Sequence, residues 1–192
     1  MKKFILSLSF VTVCSFLFLN SAFSELIFIS NFDDGAKEGT YFSDFGSWDK
    51  DPNDDSQTCV LAFDPNEIFG DQGMSVSLEY DVDSPNPAYN GFWMKLRDLD
   101  LSKYKYMVVY VKGDTNAGFT KSFKVELKGN GMIGRYMVEN VTDAWSKFQI
   151  PLTQFRGLKD LTKINEFTIV FDDINSNPKT GKIYFDNIYF TD

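Results

Sequence analysis

Near its middle the chain reads Asn90-Gly91-Phe92-Trp93-Met94-Lys95-Leu96-Arg97. Successive side chains of a β-strand point to opposite faces. Phe92, Met94 and Leu96 would therefore share one face of a strand, while Trp93 and Lys95 would share the other. This alternation predicts a β-strand with a conventional apolar core on one side and a mixed aromatic and charged surface on the other.

The same period of two recurs along most of the chain. It predicts strands at 26–30, 74–82, 90–97, 104–112, 119–128, 133–141, 145–150, 164–171 and 181–190. Residues 31–72 are rich in Asp, Gly, Asn, Ser and Pro and are interpreted as loop, and only 152–155 and 158–164 could hold a helical turn. Many short strands without a helix-length segment predict an all-β fold, a β-sandwich or jelly roll in a single domain.

The first 24 residues have the pattern of a signal peptide. Met1-Lys2-Lys3 is followed by an apolar run that ends in small residues around Ser21 and Ser24. The run is shorter than the roughly 20 apolar residues that span a membrane. We therefore expect cleavage after Ser24, a domain over residues 25–192 without a membrane span, and a secreted or periplasmic location.

Composition restricts the possible functions. The chain has 27 Asp and Glu against 19 Lys and Arg, a formal net charge of −8, and no histidine. A negative surface repels nucleic acid, so we expect no nucleic-acid partner. The absence of histidine excludes imidazole-based triads and most zinc sites. Cys59 would be the single cysteine after cleavage, so it is expected to be a buried, inert thiol, with pairing to a cysteine of another chain as the alternative.

Four stretches together resemble non-catalytic carbohydrate-binding modules of the galactose-binding-like jelly-roll group, with family 11 the nearest. The resemblance spans residues 27–190. It is carried by Tyr80-Asp81-Val82 through Asn90-Gly91-Phe92-Trp93-Met94-Lys95-Leu96, by Tyr106-Met107-Val108-Val109-Tyr110-Val111-Lys112-Gly113, by Trp145-Ser146-Lys147-Phe148-Gln149-Ile150-Pro151-Leu152-Thr153-Gln154-Phe155, and by Gly181-Lys182-Ile183-Tyr184-Phe185-Asp186-Asn187-Ile188.

This resemblance implies binding of a β-glucan-like polysaccharide on a concave sheet face, without catalysis. Flat rings would stack on the C–H faces of the sugar, and charged side chains would bind its hydroxyls. Strand parity and residue type select the following candidates: Trp93, Tyr110 and Tyr136 as rings, and Lys95, Lys124, Glu126, Arg135 and Glu139 as hydrogen-bonding groups. Trp48, in the predicted acidic loop, would either rim a cleft or pin the loop down.

The resemblance also implies a structural calcium ion where the first and last strands meet. Asp33 or Asp34 near the start and Asp186 near the end would supply hard oxygen ligands. Residues 49–55 also contain alternating acidic side chains, but they lack the glycine and terminal glutamate of an EF-hand loop. That segment is interpreted as a solvated loop.

Two other classes of function remain open at this point. The same fold pattern occurs in proteins that bind other proteins, so the domain could be an interaction or assembly module. A small glycoside hydrolase would need two carboxylates about 5 to 10 Å apart, and Glu126 with Glu139 is one conceivable pair. Adjacent Asp172 and Asp173 would point to opposite faces of a strand. If the domain binds glycans, separate enzymes or a larger surface assembly are its expected partners.

Overall fold

The computed structural model describes residues 25–35 and 44–192 and has eleven β-strands in those ranges. The strands are β1 Leu26–Ser30, β2 Phe45–Asp49, β3 Thr58–Asp64, β4 Ser75–Asp81, β5 Tyr89–Leu99, β6 Tyr106–Gly113, β7 Ser122–Gly129, β8 Met132–Glu139, β9 Ser146–Pro151, β10 Ile164–Asp172 and β11 Thr180–Thr191. These described ranges also contain one 3₁₀ turn, at Leu152–Gln154. The predicted signal peptide lies outside the described residues. Within them, no helix has the length and apolar character needed to cross a membrane.

The strands form two antiparallel sheets. Sheet A has the order β3-β4-β11-β6-β9, with β1 also paired to β11. Sheet B has the order β2-β5-β10-β7-β8. Apolar side chains from both sheets fill the space between them. The fold is therefore the predicted all-β sandwich.

The interpretation of residues 31–72 as loop was wrong in two places. Strand β2 lies in this segment and pairs with β5, and strand β3 pairs with β4. Strand β2 contains Gly46, Ser47 and Asp49, which have low strand propensity, but pairing with β5 holds it in the sheet. Strand β3 places Cys59, Leu61 and Phe63 on its core side. The residues between them, Val60 and Ala62, are also apolar, so the sequence shows no clear alternation there.

Alternation assigned the two faces of β5 and β7 correctly. Phe92, Met94 and Leu96 are 0–1% exposed, and Phe123, Val125 and Leu127 are equally buried. Their neighbours on the opposite face are partly or fully exposed. In the part of the chain that the structure describes, nine phenylalanines belong to the buried core, so much of the aromatic content there serves packing. Cys59 is also buried, and burial together with the nearby charge of Asp49 raises the pKa of its thiol.

A buried amide at the first residue of the stretch Asn90–Arg97 connects the two sheets. Asn90 on β5 is 0% exposed, and its Nδ2 donates to the carbonyl oxygens of Thr58 (2.8 Å) and Asp81 (2.6 Å). Thr58 and Asp81 are opposite each other on β3 and β4 of sheet A. Burying the N–H groups of an amide is costly unless they are hydrogen-bonded, so these two contacts of Nδ2 hold β5 of sheet B against sheet A.

Tyr80 ties core packing to two loops. Its ring stacks on Phe171 with centroids 4.2 Å apart, which joins the two sheets. Its hydroxyl accepts a hydrogen bond from the Thr120 backbone N–H (2.7 Å) and donates to the Pro178 carbonyl (3.1 Å). Burial raises the pKa of Tyr80 to about 12, against the lowering effect of the Thr120 N–H. The hydroxyl therefore stays protonated at neutral pH.

Tyr80→Phe should destabilise the protein by about 1–3 kcal/mol, because the buried Thr120 N–H and Pro178 carbonyl lose their partner while the ring packing is kept. Urea denaturation followed by circular dichroism measures this. Tyr106→Phe, on the outer face of sheet A, is the matched control and should change stability by less than about 0.5 kcal/mol. Equal effects of the two substitutions would refute the role of the hydroxyl.

Candidate functional site

The outer face of sheet B, which we call the groove face, carries the polar and aromatic candidates. Because paired residues of neighbouring strands share a face, the register places the side chains in rows across the sheet. One row contains Gly46, Trp93, Thr168, Glu126 and Arg135. The row on one side of it contains Lys95, Glu166, Lys128 and Ile133. The row on the other side contains Trp48, Gly91, Val170, Lys124 and Met137.

Two tryptophans of the groove face each lie opposite a glycine. Trp93 pairs with Gly46, and Trp48 pairs with Gly91. A Cβ atom on Gly46 would lie 3.2 Å from Nε1 and 3.3 Å from Cζ2 of Trp93, so the indole lies over Gly46. A Cβ on Gly91, whose φ is +155°, would lie 2.0 Å from the Ile169 carbonyl oxygen. The close backbone approach therefore requires glycine at position 91, whereas a Cβ at position 46 would push the indole of Trp93 by a few tenths of an ångström. Gly46 thus leaves room for the indole to lie along the sheet.

Trp48 belongs to the groove face, although the sequence analysis had interpreted its segment as loop and could not assign it to a face. It lies on β2, and its ring packs edge-on against Tyr89 with centroids 5.8 Å apart. Lys50 lies 5.5 Å from the centre of the Tyr89 ring. The sequence did contain a signal for this position: both Gly46-Ser47-Trp48 and Gly91-Phe92-Trp93 read Gly-x-Trp. Antiparallel pairing of these two triplets puts each glycine opposite a tryptophan.

The tryptophans border a cleft of about 310 Å³, which we call the aromatic cleft. Its lining comprises Trp48, Trp93, Lys95, Lys128, Glu166 and Thr168. The Lys95 ammonium lies 5.4 Å from the centre of the Trp93 ring, within the range of a cation–π contact. The cleft thus combines a flat apolar wall with charged hydrogen-bonding groups. Lys128, Glu166 and Thr168 were not among the sequence candidates.

Alternating charges connect the aromatic cleft to the far edge of the sheet. Glu166 lies between Lys95 (2.5 Å) and Lys128 (2.8 Å). Glu126 lies between Lys128 (3.8 Å) and Arg135 (3.0 Å). We call this series from Lys95 to Arg135 the charge ladder. Burial alone would raise the pKa of Glu166, but the hydrogen bonds from Lys128 and Lys95 outweigh it and hold the pKa below its usual range.

A second, wider cleft of about 660 Å³ lies along the β8 edge of the groove face, and we call it the edge cleft. Its lining comprises Lys124, Arg135, Tyr136, Met137, Glu139, Thr153, Gln154 and Arg156. Lys124 forms an ion pair with Asp172 at 2.9 Å. Burial would raise the pKa of Asp172, but the hydrogen bonds from Lys124 and Asn175 leave it lowered.

The structure brings six of the eight predicted binding residues onto the groove face and places two elsewhere. Tyr136 pairs with the buried Val125, so it points to the core side of sheet B, where its ring packs on Phe155 and reaches only the wall of the edge cleft. Tyr110 lies on β6 in sheet A, on the opposite outer face of the sandwich. Tyr110 therefore cannot join Trp93 in one site.

The outer face of sheet A has its own aromatic cluster. Tyr110 stacks on Phe69 with centroids 3.9 Å apart, and Trp145 contacts Phe69 edge-on at 5.9 Å. Phe28 stacks on Tyr189 at 5.9 Å. Trp145 therefore packs against another ring on the outer face of sheet A, away from the groove face.

The three predicted calcium ligands lie near the junction of β1 and β11. Asp186 is 1% exposed and accepts hydrogen bonds from the N–H groups of Asn187 (2.6 Å) and Phe69 (3.3 Å). Burial raises the pKa of Asp186 to about 7, and the charge of Asp33 acts in the same direction. Asp33 and Asp34 are exposed. Among the described residues, no group of three acidic, cysteine or histidine side chains converges to hold a metal.

Comparison with known families identifies the class of protein as a carbohydrate-binding module. Residues 30–192 match the family model described as Carbohydrate binding domain 30. Since the match covers most of the chain, the protein belongs to this family. The resemblance to a carbohydrate-binding module is thus confirmed, with family 30 as the matching model. A search of curated proteins found no significant match.

Solved structures of other carbohydrate-binding modules share the fold. The family 11 module from Clostridium thermocellum, in complex with a β-1,3-1,4-mixed-linked tetrasaccharide, has 20% identity and a TM-score of 0.62 over 88% of this chain and 96% of that chain. The family 22 xylan-binding domain from Paenibacillus barcinonensis has 13% identity and a TM-score of 0.51, over 88% and 95% of the two chains. A family 28 module specific for non-crystalline cellulose has 17% identity and a TM-score of 0.51, over 86% and 95%.

The lowered pKa of Glu166 predicts a pH-dependent contribution to stability. A carboxylate whose pKa is lower in the folded state stabilises the fold above its unfolded pKa, about 4.3, and loses that contribution as the pH falls through the folded pKa. The stability difference between the wild type and Glu166→Gln should therefore be largest above about pH 5 and shrink below about pH 4. Urea denaturation across this range measures it.

Ile133→Val is the control for this titration, because Ile133 lies on the same face and the change removes neither a titrating group nor a hydrogen bond to Glu166. Its stability difference from the wild type should stay constant with pH. A difference for Glu166→Gln that is equally constant would contradict the assigned role of the ion pairs.

Proposed function

We propose that this protein binds a β-glucan-like polysaccharide along the groove face and does not cleave it. The observation that carries the proposal is the pair of indoles, each opposite a glycine, beside the charge ladder. A pyranose ring has apolar C–H faces and equatorial hydroxyls. The tryptophans would contact the former, and the carboxylates and ammonium groups would hydrogen-bond the latter.

The side chains of the charge ladder are already held in place by one another. Lys128 contacts both Glu126 and Glu166, and Arg135 contacts Glu126. Holding long side chains in one arrangement before the ligand arrives lowers the entropy lost on binding. Such a surface suits a neutral, hydroxyl-rich ligand, because each ion pair keeps spare donors and acceptors.

The choice of a β-glucan rests on the family and on the structural neighbours. Those neighbours include modules described with a mixed-linked tetrasaccharide, with xylan and with non-crystalline cellulose. Their low identity supports a shared fold, and the extension to a β-linked glucan for this chain is our proposal. Trp48 and Trp93 together provide the stacking surface that this extension requires.

The electrostatics of the groove face support binding without catalysis. A glycoside hydrolase needs one carboxylic acid whose pKa is raised so that it can protonate the leaving group. On this face the pKa values of Glu166 and Asp172 are lowered, and Glu126 is ion-paired to Arg135. These carboxylates are suited to accepting hydrogen bonds rather than to donating a proton.

We also propose that the protein works outside the cytoplasm, where separate enzymes or a surface assembly use the bound glycan. The support is the leader-like pattern of residues 1–24. A binding domain of this kind would concentrate a polysaccharide for enzymes carried by other chains.

A structural Ca²⁺ at the β1–β11 junction is a further part of the proposal. Buried Asp186 and the nearby Asp33 repel each other, so a cation between them would be favourable. Ca²⁺ takes about six to eight oxygens, so backbone carbonyls or water would have to complete the shell. The ion would stabilise the junction and is not needed on the groove face.

Ca²⁺ should raise the midpoint of thermal unfolding relative to EDTA, since an ion that binds only the folded state stabilises it. Asp186→Asn should abolish the difference, while Asp100→Asn, on an exposed loop, should preserve it. Identical unfolding of the wild type in Ca²⁺ and in EDTA would rule out the calcium site.

Affinity electrophoresis tests the glycan site. Gels containing mixed-linked β-glucan, xyloglucan, mannan, pectin or no polysaccharide are compared. One glucan should retard the wild type, and Trp93→Ala or Trp48→Ala should weaken that binding by about tenfold or more, as expected for central aromatic anchors. Trp145→Ala, on the other side of the sandwich, is the matched control and should behave as the wild type.

Unaltered migration of the folded wild type in every gel would overturn the proposal and favour a protein-interaction module. If Trp93→Ala, Trp48→Ala and Trp145→Ala are all retarded as strongly as the wild type, the glycan site lies away from the groove face. Thermal unfolding of each variant confirms that it is folded.

A further inference from the structure

We infer that the edge cleft binds an anionic substituent of the glycan, a uronate carboxylate or a sulfate ester. This inference rests on the proposed function and adds to it the chemical class of the ligand. Its basis is the placement of Arg135 and Arg156, which lie side by side at the β8 edge and line the same cleft as Lys124.

The backbone fixes the two arginines next to each other. Arg135 and Arg156 form an antiparallel bridge in which each backbone N–H donates to the other residue's carbonyl at 2.9 Å. Residues paired in this way share a face of the sheet, and their Cβ atoms are about 5 Å apart. Arg156 lies outside the named strands, and this isolated bridge is what pairs its backbone with β8.

Two glycines make this approach possible. A Cβ on Gly134 would lie 2.5 Å from Cβ of Leu158, and a Cβ on Gly157 would lie 2.6 Å from the Ile133 carbonyl oxygen. Gly157 also has a φ of +95°, which side-chain-bearing residues rarely adopt. The segment that carries Arg156 can therefore lie against β8 only with glycine at these positions.

Among the described residues, the ion pairs at the edge cleft leave one of the two arginines without a partner. Arg135 is ion-paired to Glu126, and Lys124 to Asp172. Arg156 is exposed and has no ion-pair partner in residues 25–35 and 44–192. Like charges directly opposite each other destabilise a strand pair. An anion between the two guanidinium groups would remove that repulsion.

The chemistry of the cleft suits a carboxylate or a sulfate. A guanidinium group offers a planar fork of N–H donors that matches either anion. It keeps its positive charge at all physiological pH values. Thr153 and Gln154, on the 3₁₀ turn, line the cleft and add neutral hydrogen-bonding groups for the hydroxyls of the same sugar. Glu139 lines the cleft from the last position of β8, four residues beyond Arg135.

The segment around Arg156 could also have a purely structural role, which is to cover the exposed edge of β8. That role needs the backbone hydrogen bonds of Arg156 and does not need its guanidinium group. Arg156→Gln keeps the backbone contacts and removes the charge, so it separates the two readings. Lys159→Gln is the matched control, since Lys159 is exposed nearby, carries the same charge and does not line the cleft.

The experiment compares three forms of one polymer by affinity electrophoresis: mixed-linked β-glucan, the same glucan partly oxidised at C6 to uronate, and the same glucan partly sulfated. Wild type should bind at least one anionic form about tenfold more tightly than the neutral form, as expected for a new charge-assisted hydrogen bond. Which anionic form is preferred identifies carboxylate or sulfate as the group. Arg156→Gln should bring the binding of that form down to the level of the neutral polymer, while Lys159→Gln should keep the preference.

Equal binding of neutral and anionic polymers by the wild type would overturn this inference and leave the proposed function intact. A preference that Arg156→Gln and Lys159→Gln reduce equally would show general charge attraction and would also overturn it. No retardation by any of these three polymers or by the other polysaccharides of the first assay would overturn the proposed function itself.

Discussion

The register of β5 is the constraint on which the groove face depends. Shifting a strand by one residue exchanges its two faces. Such a shift would bury Trp93 and Lys95 and expose Phe92 and Met94. Two features described above oppose it: the amide of Asn90, which reaches across to sheet A, and the close approach of Gly91 to the Ile169 carbonyl. The binding surface and the core are therefore specified by the same few backbone contacts.

The groove face also differs in charge from the rest of the chain. The chain has a formal net charge of −8, whereas cations alternate with carboxylates along the charge ladder. An acidic surface elsewhere repels nucleic acid. On the groove face, ion pairing neutralises the carboxylates locally, so a glycan would meet oriented hydrogen-bonding groups instead of a repulsive field.

Period-two alternation was sufficient to predict the sandwich and the two faces of β5 and β7, because these strands are long and lie centrally in sheet B. It could not predict which sheet a strand joins, and Tyr110 was for that reason grouped with Trp93. Tyr136 was chosen for its ring although its parity differs from that of Arg135. The sequence analysis could not assign Trp48 and Arg156 to the site, because their positions depend on pairing between distant segments. These pairings are β2 with β5 and residue 156 with β8. Local sequence carries little signal for such contacts.

The positions of the three tryptophans have a spectroscopic consequence. Trp48 and Trp93 lie on the groove face, Trp145 lies against Phe69 on the other side, and the buried core contains none of them. Indole fluorescence therefore reports the solvent exposure of two surfaces and is a poor reporter of how tightly the interior is packed. Two of the three emitters share the groove, so a ligand that covers them would change most of the intrinsic signal without any label.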